Sequence, residues 1–405
     1  MKYVIVVPDG MSDLPEEFEG GRTPLARADH PSMDDLARRS KLGWAETVPE
    51  GMDPGSDVAA LSIFGLSPSR YYTGRAPLEA ASLGLEIGDG VAYRCNLVTI
   101  QNGIMADFTA GHITSPEAAE LIRSVDDALG KNGVSFHPGV SYRHAMLAPA
   151  EYLDAKCTPP HDITDRPIGE YLPKGSVGPT LLELMEKSRA VFENHPVNLK
   201  RISDGKKPAT QIWLWGQGKK PALPTMKDRF GLTGAVVTAV DLVKGIGLLL
   251  GLEIPVVEGV TGFVDTNYEG KADAVLEALH RLDFAYAHIE APDEAGHMGD
   301  GELKRRAIED MDRRFLRNLV DGLNLDPALQ PYRLLLLPDH PTPISIKTHI
   351  RKDVPYFLYD SRMDVEGIPS EFTESAMQRY IDIRVPGFQL MDLLLEKNGW
   401  PDFRI

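Results

Sequence analysis

The chain has 405 residues, 42% hydrophobic and 25% charged, the profile of a globular protein long enough for two or three domains. A formal charge of −16 argues against a general nucleic-acid or anionic-membrane surface, although a local arginine cluster or a metal can still admit an anionic small substrate. No apolar run approaches the ~20 residues that span a bilayer, and Cys95 and Cys157 are too few for a disulfide framework.

From the start of the chain, "KYVIVV" predicts a buried strand ending at Pro8-Asp9-Gly10. It follows Met1 directly with no small-residue cleavage site, so no signal peptide is expected and a cytoplasmic location follows. "HPSMDDLARRS" predicts an amphipathic helix and "LGWAETV" a second strand. "PGSDVAALSIFG" then predicts a tight turn and a short apolar helix, with Ser56 as its hydroxyl N-cap and Gly65 as its stop. From Ser67 to Arg229 the texture turns Pro- and Gly-rich, as in "CTPPHDITDRPIGEYLPKGSVGP" and "WLWGQGKKPALP", with helices such as "SPEAAELIRSVDDALG" between. We read 67–229 as an α+β domain inserted into a discontinuous core of 1–66 and 230–405. Beyond it, "GAVVTAV", "DFAYAHIEA" and "YRLLLLPDH" alternate with the helical "DLVKGIGLLLGL", "KADAVLEALHRL" and "DGELKRRAIEDMDRRFLRNLVDGL". Strands that read as continuous apolar runs between helices predict an α/β fold: a doubly wound, mostly parallel sheet covered on both faces.

Ligands of such sheets lie beyond the carboxyl ends of the strands. Asp9 follows the first strand, and Ser56 lies in the turn after the second. Asp293 and His297 follow "FAYAHIEAP", Asp339 and His340 follow "YRLLLLP", and His349 comes shortly after. Singly, each has a plain reading: Asp9 as a turn residue before Gly10, Asp293 and His297 as a surface hydrogen bond one helical turn apart, Ser56 as a cap. Jointly they form a set of carboxylate, imidazole and hydroxyl donors at one edge. Seven donors are too many for one tetrahedral ion, which points to two metals; such mixed ligation suits Mn, Zn, Co or Mg.

The stretches "VVPDGMSD", "GRTPLARADHPSMDDLA", "PGSDVAALSIFG", "YYTGRAPLEAASLG", "RCNLVT", "AGHIT", "SYRH", "GVTGFVDTNYEGKADA", "EAPDEAGHMGD" and "LPDHPTP" run from Val6 to beyond 340. In this order they resemble the alkaline phosphatase-like metalloenzymes, and within them the archaeal-type, cofactor-independent phosphoglycerate mutases and their bacterial relatives. The resemblance implies an alkaline-phosphatase-like core with an inserted substrate or lid domain, and no need for 2,3-bisphosphoglycerate. It implies one metal on Asp9, Ser56, Asp339 and His340, a second on Asp293, His297 and His349, and Ser56 as the nucleophile that carries the phosphoryl group between the 3- and 2-positions of glycerate. The segments "CTPPHDITD" and "HPVNLKRISDGKKPATQIWLWGQG" resemble a bacterial branch whose members have also been proposed as homoserine kinases.

A small phosphorylated metabolite needs cations. The inserted domain offers Arg75, Arg94, Arg143 with His144, His161 with Asp162, and Arg201, each with a surface or structural ion pair as its plain alternative. His112 reads as a weaker candidate with a local capping role, Lys271 as a solvated helix residue, and Trp213 and Trp215 as packing at a domain boundary. Competing functions on the same metal core are a homoserine kinase, a phosphopentomutase or a phosphomonoesterase, although no G-x-x-x-x-G-K-[ST] loop supports an ATP-dependent kinase. A silent metal- or metabolite-binding protein is the remaining alternative. The sequence says nothing of oligomeric state.

Overall fold

The structure, a computed structural model, describes residues 1–363 and 371–396. Its strands, in chain order, are β1 (Lys2–Pro8), β2 (Ser40–Glu46), β3 (Val91–Gln101), β4 (Ile104–Asp107), β5 (Ser135–His137), β6 (Arg143–Ala148), β7 (Gln211–Gly218), β8 (Gly234–Val237), β9 (Phe284–Ile289), β10 (Tyr332–Leu336), β11 (Val354–Asp360) and β12 (Arg384–Pro386). They divide between two compact units, one formed by the described residues of Met1–Tyr72 and Leu223–Ile405, the other by Thr73–Ala222.

The first unit carries a 7-stranded sheet in the order β12-β2-β11-β10-β1-β9-β8. β1 pairs in parallel with β10 and β9, β9 with β8, and β12 with β2, while β11 runs antiparallel to both its neighbours. The fold is therefore α/β with a mostly parallel sheet. Along β1, Val4 and Val6 join the cluster built with the helices Pro31–Arg38, Tyr268–Arg281 and Gly301–Asp310, and Ile5 and Val7 are equally buried from the other face. A strand covered on both sides has no use for polar alternation, which is why "VIVV" is continuous. On that other face Phe64, just past the helix Ser56–Ile63, stacks on Tyr286 of β9 with centroids 4.3 Å apart. The long helical stretch read from Asp300 to Leu323 is interrupted by a π-helical turn at Met311–Leu316. That turn carries the buried Asp312, which accepts the Ser32 and Met33 amides at 3.0 and 2.7 Å and so satisfies the exposed donors at the start of Pro31–Arg38.

The second unit is an antiparallel 5-stranded sheet centred on β3, which pairs with β6, β7 and β4. The helix Ser115–Leu129 packs into its core and starts with a capping box between Thr114 and Glu117. Trp213 and Trp215, expected at a domain boundary, belong to this core. Their indole N–H groups are spent inside it, on the Thr158 carbonyl at 2.8 Å and the Asn96 amide oxygen at 3.0 Å.

One buried cation holds two loops of the first unit together. Lys304, fully buried, donates to the carbonyls of Ser12 and Thr342 at 3.0 and 2.8 Å and pairs with the Asp13 carboxylate at 3.1 Å. Removing it leaves the Asp13 charge without its partner, so Lys304→Met is expected to lower the unfolding free energy of this unit by about 3–5 kcal/mol in urea titrations. Adding Asp13→Asn should recover part of that loss; a single variant within about 1 kcal/mol of the parent would refute the assignment.

Candidate functional site

Because β10, β1 and β9 lie side by side and parallel, their carboxyl ends deliver the segments containing Asp9, Asp293 and Asp339 to one edge. The turn after β1 is tight. Gly10 has φ +58°, and a Cβ there would run into the Asp293 carboxylate and the Thr342 hydroxyl, so only glycine lets the two loops approach. Its amide donates to Asp339 Oδ1 at 3.1 Å, as does that of His340 at 2.9 Å. Thr47, just past β2, donates to the Asp339 carbonyl at 2.6 Å.

This scaffold brings together the donors expected at the edge. His340 Nε2 lies 3.2 Å from Asp339 Oδ2, 3.6 Å from Asp9 Oδ1 and 3.3 Å from Ser56 Oγ. Asp293 faces His297 Nε2 at 3.0 Å through one oxygen and His349 Nε2 at 3.5 Å through the other. The two histidine Nε2 atoms are 3.0 Å apart. Two groups, Asp9 with Asp339 and His340, and Asp293 with His340 and His349, each offer donor atoms within 4.8 Å of one another.

The hydrogen bonds around the rings fix which nitrogens face the site. Thr342 gives its only hydroxyl proton to Asp293, so its contact with His340 Nδ1 at 3.3 Å places the ring proton on Nδ1 and leaves the Nε2 lone pair toward Asp9, Asp339 and Ser56. His297 Nδ1 faces the Lys347 carbonyl at 3.1 Å, which turns its Nε2 inward in the same way. Asp9 Oδ1 and Asp339 Oδ2 are buried without a hydrogen-bond partner.

The acid–base behaviour follows from this crowding. Burial, with Asp339 and Asp293 close by, pushes the Asp9 carboxyl well above the usual carboxylate range. Burial works the same way on Asp293 but is outweighed by His297 and His349, which hold it well below that range. Against burial, the Asp293 carboxylate raises His297 to about 9, whereas burial prevails at His340 and lowers it to about 4. Inward-facing imidazole lone pairs among buried carboxylates with spare oxygens fit divalent cations, by the chemistry of the donors alone.

Ser56 does not cap its helix. Gly55 takes the N-cap position with extended backbone, and Ser56 is the first helical residue of Ser56–Ile63 with no capping bond from its side chain. The next residue, Asp57, is held by the Tyr72 hydroxyl at 2.6 Å and by the Val58 amide at 3.0 Å. The Ser56 oxygen is thereby left to His340.

Lys271, expected in solvent, is fully buried and pairs with Glu290. In the helix Tyr268–Arg281 it shares the face of Tyr268, Ala272 and Val275, a spacing that was a signal of burial. Thr342 and Thr47 were missed as well; a hydroxyl three residues past a ligand carries no pattern of its own.

The second unit groups some of its expected residues and disperses others. Arg75 and Arg94 share Glu79, at 3.0 and 2.9 Å. Arg94 lies over the Trp215 ring at 4.3 Å, and burial and its arginine neighbours lower it to about 10 despite Glu79. Arg143 is exposed beside them on β6. His144 is buried, accepts the Gly139 amide at 3.0 Å, and is lowered to about 3 by burial and by Arg143. Arg201 is engaged in packing: its buried guanidinium donates to the carbonyls of Lys207, Ala110 and Gly111 and pairs with Glu117. His161 and Asp162 are exposed neighbours, with the His161 ring against Trp215. His112 is exposed in a turn, its amide bonded to Thr109.

A family model for 2,3-bisphosphoglycerate-independent phosphoglycerate mutase matches residues 37–198. A protein of that name from Methanosarcina acetivorans is 51% identical over 361 residues, 89% of this chain and 90% of the relative. The chain belongs to the 2,3-bisphosphoglycerate-independent phosphoglycerate mutase family. A probable mutase of the same kind from Geobacter sulfurreducens is 47% identical over 407 residues, covering 98% of this chain and 100% of the relative. Among solved structures, a Pyrococcus horikoshii protein aligns at TM-score 0.82 and 27% identity over 100% of this chain and 99% of its own. The cofactor-independent phosphoglycerate mutase of Thermoplasma acidophilum aligns at TM-score 0.64 and 25% identity, over 98% of this chain and 100% of its own.

The electrostatics of the edge predict a thermal response. Adding Mn²⁺ to protein stripped with a chelator should raise the unfolding midpoint, with about 2.7 kcal/mol of stabilisation per site at one hundred times the dissociation constant. A midpoint indifferent to Mn²⁺, Zn²⁺, Co²⁺ and Mg²⁺ would remove the cation reading.

Proposed function

We propose that this phosphoglycerate mutase interconverts 3-phosphoglycerate and 2-phosphoglycerate through a phosphorylated Ser56. The observation that carries the reading is the Ser56 hydroxyl, released from capping, 3.3 Å from His340 and at the start of a helix. We read Asp9, Ser56, Asp339 and His340 as holders of one divalent ion and Asp293, His297 and His349 as holders of a second. Bound there, the ions would lower the pKa of the serine hydroxyl and offset negative charge on the transferring phosphoryl group.

The residues of the chain then act as follows. Ser56 Oγ forms the bond to phosphorus as the bond to the 3-oxygen of the substrate breaks, and that oxygen leaves with a proton as the hydroxyl of glycerate. The amides of Ser56 and Asp57, at the start of that helix, would face the phosphoryl oxygens. In the return step the 2-hydroxyl attacks the phosphoserine and Ser56 Oγ leaves, so no phosphate is gained or lost. The phosphoserine must be kept from water in between, or the outcome is hydrolysis. We take the second unit as the substrate-binding domain, with Arg75 and Arg143 as anion binders and Arg94 as the residue that holds Glu79 between them.

Ser56→Ala should keep the far-UV circular dichroism of the parent and lose mutase turnover by ~10³-fold or more. Mass spectrometry of parent protein quenched during turnover should find phosphate on Ser56. Unchanged activity in the variant would overturn the nucleophile, and homoserine-dependent release of ADP from ATP without mutase turnover would replace the reaction.

A further inference from the structure

Behind Asp9 lies a chain of buried polar groups supplied by the sheet and not by the ligand loops. On β9 and just beyond it, His288 and Glu290 are two residues apart and therefore share a face. His288 is fully buried opposite Val7 in the parallel pairing with β1, two residues before Asp9. Its Nε2 is 3.5 Å from Asp9 Oδ2 and has no hydrogen-bond partner among the described residues. Its Nδ1 is 3.5 Å from both Glu290 Oε1 and Thr238 Oγ1.

The ring is locked from behind. Glu290 Oε1 accepts the Thr238 hydroxyl at 2.9 Å and the Ala239 amide at 2.6 Å, and its other oxygen pairs with Lys271. Lys271 also donates to the His288 carbonyl at 3.0 Å. The side chains of His288, Glu290, Lys271 and Thr238 are all buried, so the chain was placed at the cost of desolvating an ammonium and a carboxylate.

What the chain does is visible at Asp9. A carboxylate free to rotate would present either oxygen to the site. Here the two are divided: Oδ2 faces His288, while Oδ1 faces His340 Nε2 at 3.6 Å and has no hydrogen-bond partner. We infer that His288, held by Glu290 and Lys271, is a positioning residue that fixes the plane of the Asp9 carboxylate and presents Oδ1 to a cation. The inference rests on the two-ion reading above. It assigns a role to residues that supply no donor to the ions themselves, as outer partners that orient a ligand do.

Two neutral substitutions separate the ring nitrogens. The Gln amide nitrogen falls near Nε2 and keeps a nitrogen facing Asp9; the Asn amide nitrogen falls near Nδ1 and keeps only the contact with Glu290. The readout is Mn²⁺ bound per chain in equilibrium dialysis of the full chain after chelator treatment, with circular dichroism and thermal midpoint as folding controls. Parent protein should bind two ions; His288→Gln should stay within about threefold of it, and His288→Asn should bind one ion about 10–100-fold more weakly. A purely structural role would lower the midpoint and leave both affinities alone, and that result, or Gln binding as weakly as Asn, overturns the role of His288. Should His288→Asn not fold, the Gln protein decides alone: binding within about threefold of the parent sustains the inference and a tenfold loss overturns it. Parent protein that takes up no Mn²⁺ overturns the two-ion reading itself, and the inference with it.

Discussion

The structure of the first unit turns on one electrostatic constraint: three carboxylates, Asp9, Asp293 and Asp339, are buried together at the carboxyl edge of a parallel sheet. Carboxylates gathered in a poorly solvated place resist ionisation and repel one another, and at Asp9 burial first, then Asp339 and Asp293, push the carboxyl above its usual range. The surrounding architecture supplies countercharge and donors to make the arrangement tolerable. Gly10 and His340 give backbone amides to Asp339, Thr342 gives its proton to Asp293, and His297 and His349 flank Asp293. The oxygens that remain unsatisfied, Asp9 Oδ1 and Asp339 Oδ2, both lie close to His340 Nε2. An unpaired polar atom in a buried place is costly, so two of them aimed at one lone pair describe a place built for a positive charge.

Two buried lysines show how far that constraint reaches. Lys304 joins the loop after β1 to the loop after β10 through Ser12, Asp13 and Thr342. Lys271 backs the strand end of β9 through Glu290 and the His288 carbonyl. Neither touches a ligand atom, yet each fixes the backbone or side chain next to one. Ammonium groups are rarely fully buried; here both sit in helices packed behind the loops that carry the carboxylates. The countercharge thus comes from the helical layer, while the donors come from the strand ends.

This division explains what could be read in the sequence. The donors Asp9, Asp293, Asp339, His340 and His349 follow strands whose apolar runs are unmistakable, and the geometry of a parallel sheet does the rest. Lys271 was misread because charge suggested solvent, while its place on the i, i+3, i+4 apolar face of Tyr268–Arg281 suggested the core. In "FAYAHIE" the polar His288 and Glu290 interrupt an otherwise apolar strand at a spacing of two, a pattern with meaning only once the neighbour on that face is known to be Asp9. The packing of Arg201 was hidden for the opposite reason: its partners are three backbone carbonyls and Glu117, contacts that no spacing of residues announces.

Ser56 carries the last step. A serine at a helix start commonly spends its oxygen on a backbone amide, and a capping hydroxyl is poorly placed to attack anything. Moving the cap to Gly55 places Ser56 one residue later, inside the helix, where its side chain turns toward His340. Asp57, fixed by Tyr72 and the Val58 amide, holds that turn from the other side. The His340 ring cannot serve as a general base through Nδ1, which faces Thr342, and its Nε2 is shared among Ser56, Asp9 and Asp339. Burial keeps that ring from holding a second proton near neutrality. Under the role proposed for Ser56, the residues around its hydroxyl orient it and surround it with lone pairs, an environment that favours a bound cation as the means of activation over a dedicated histidine base.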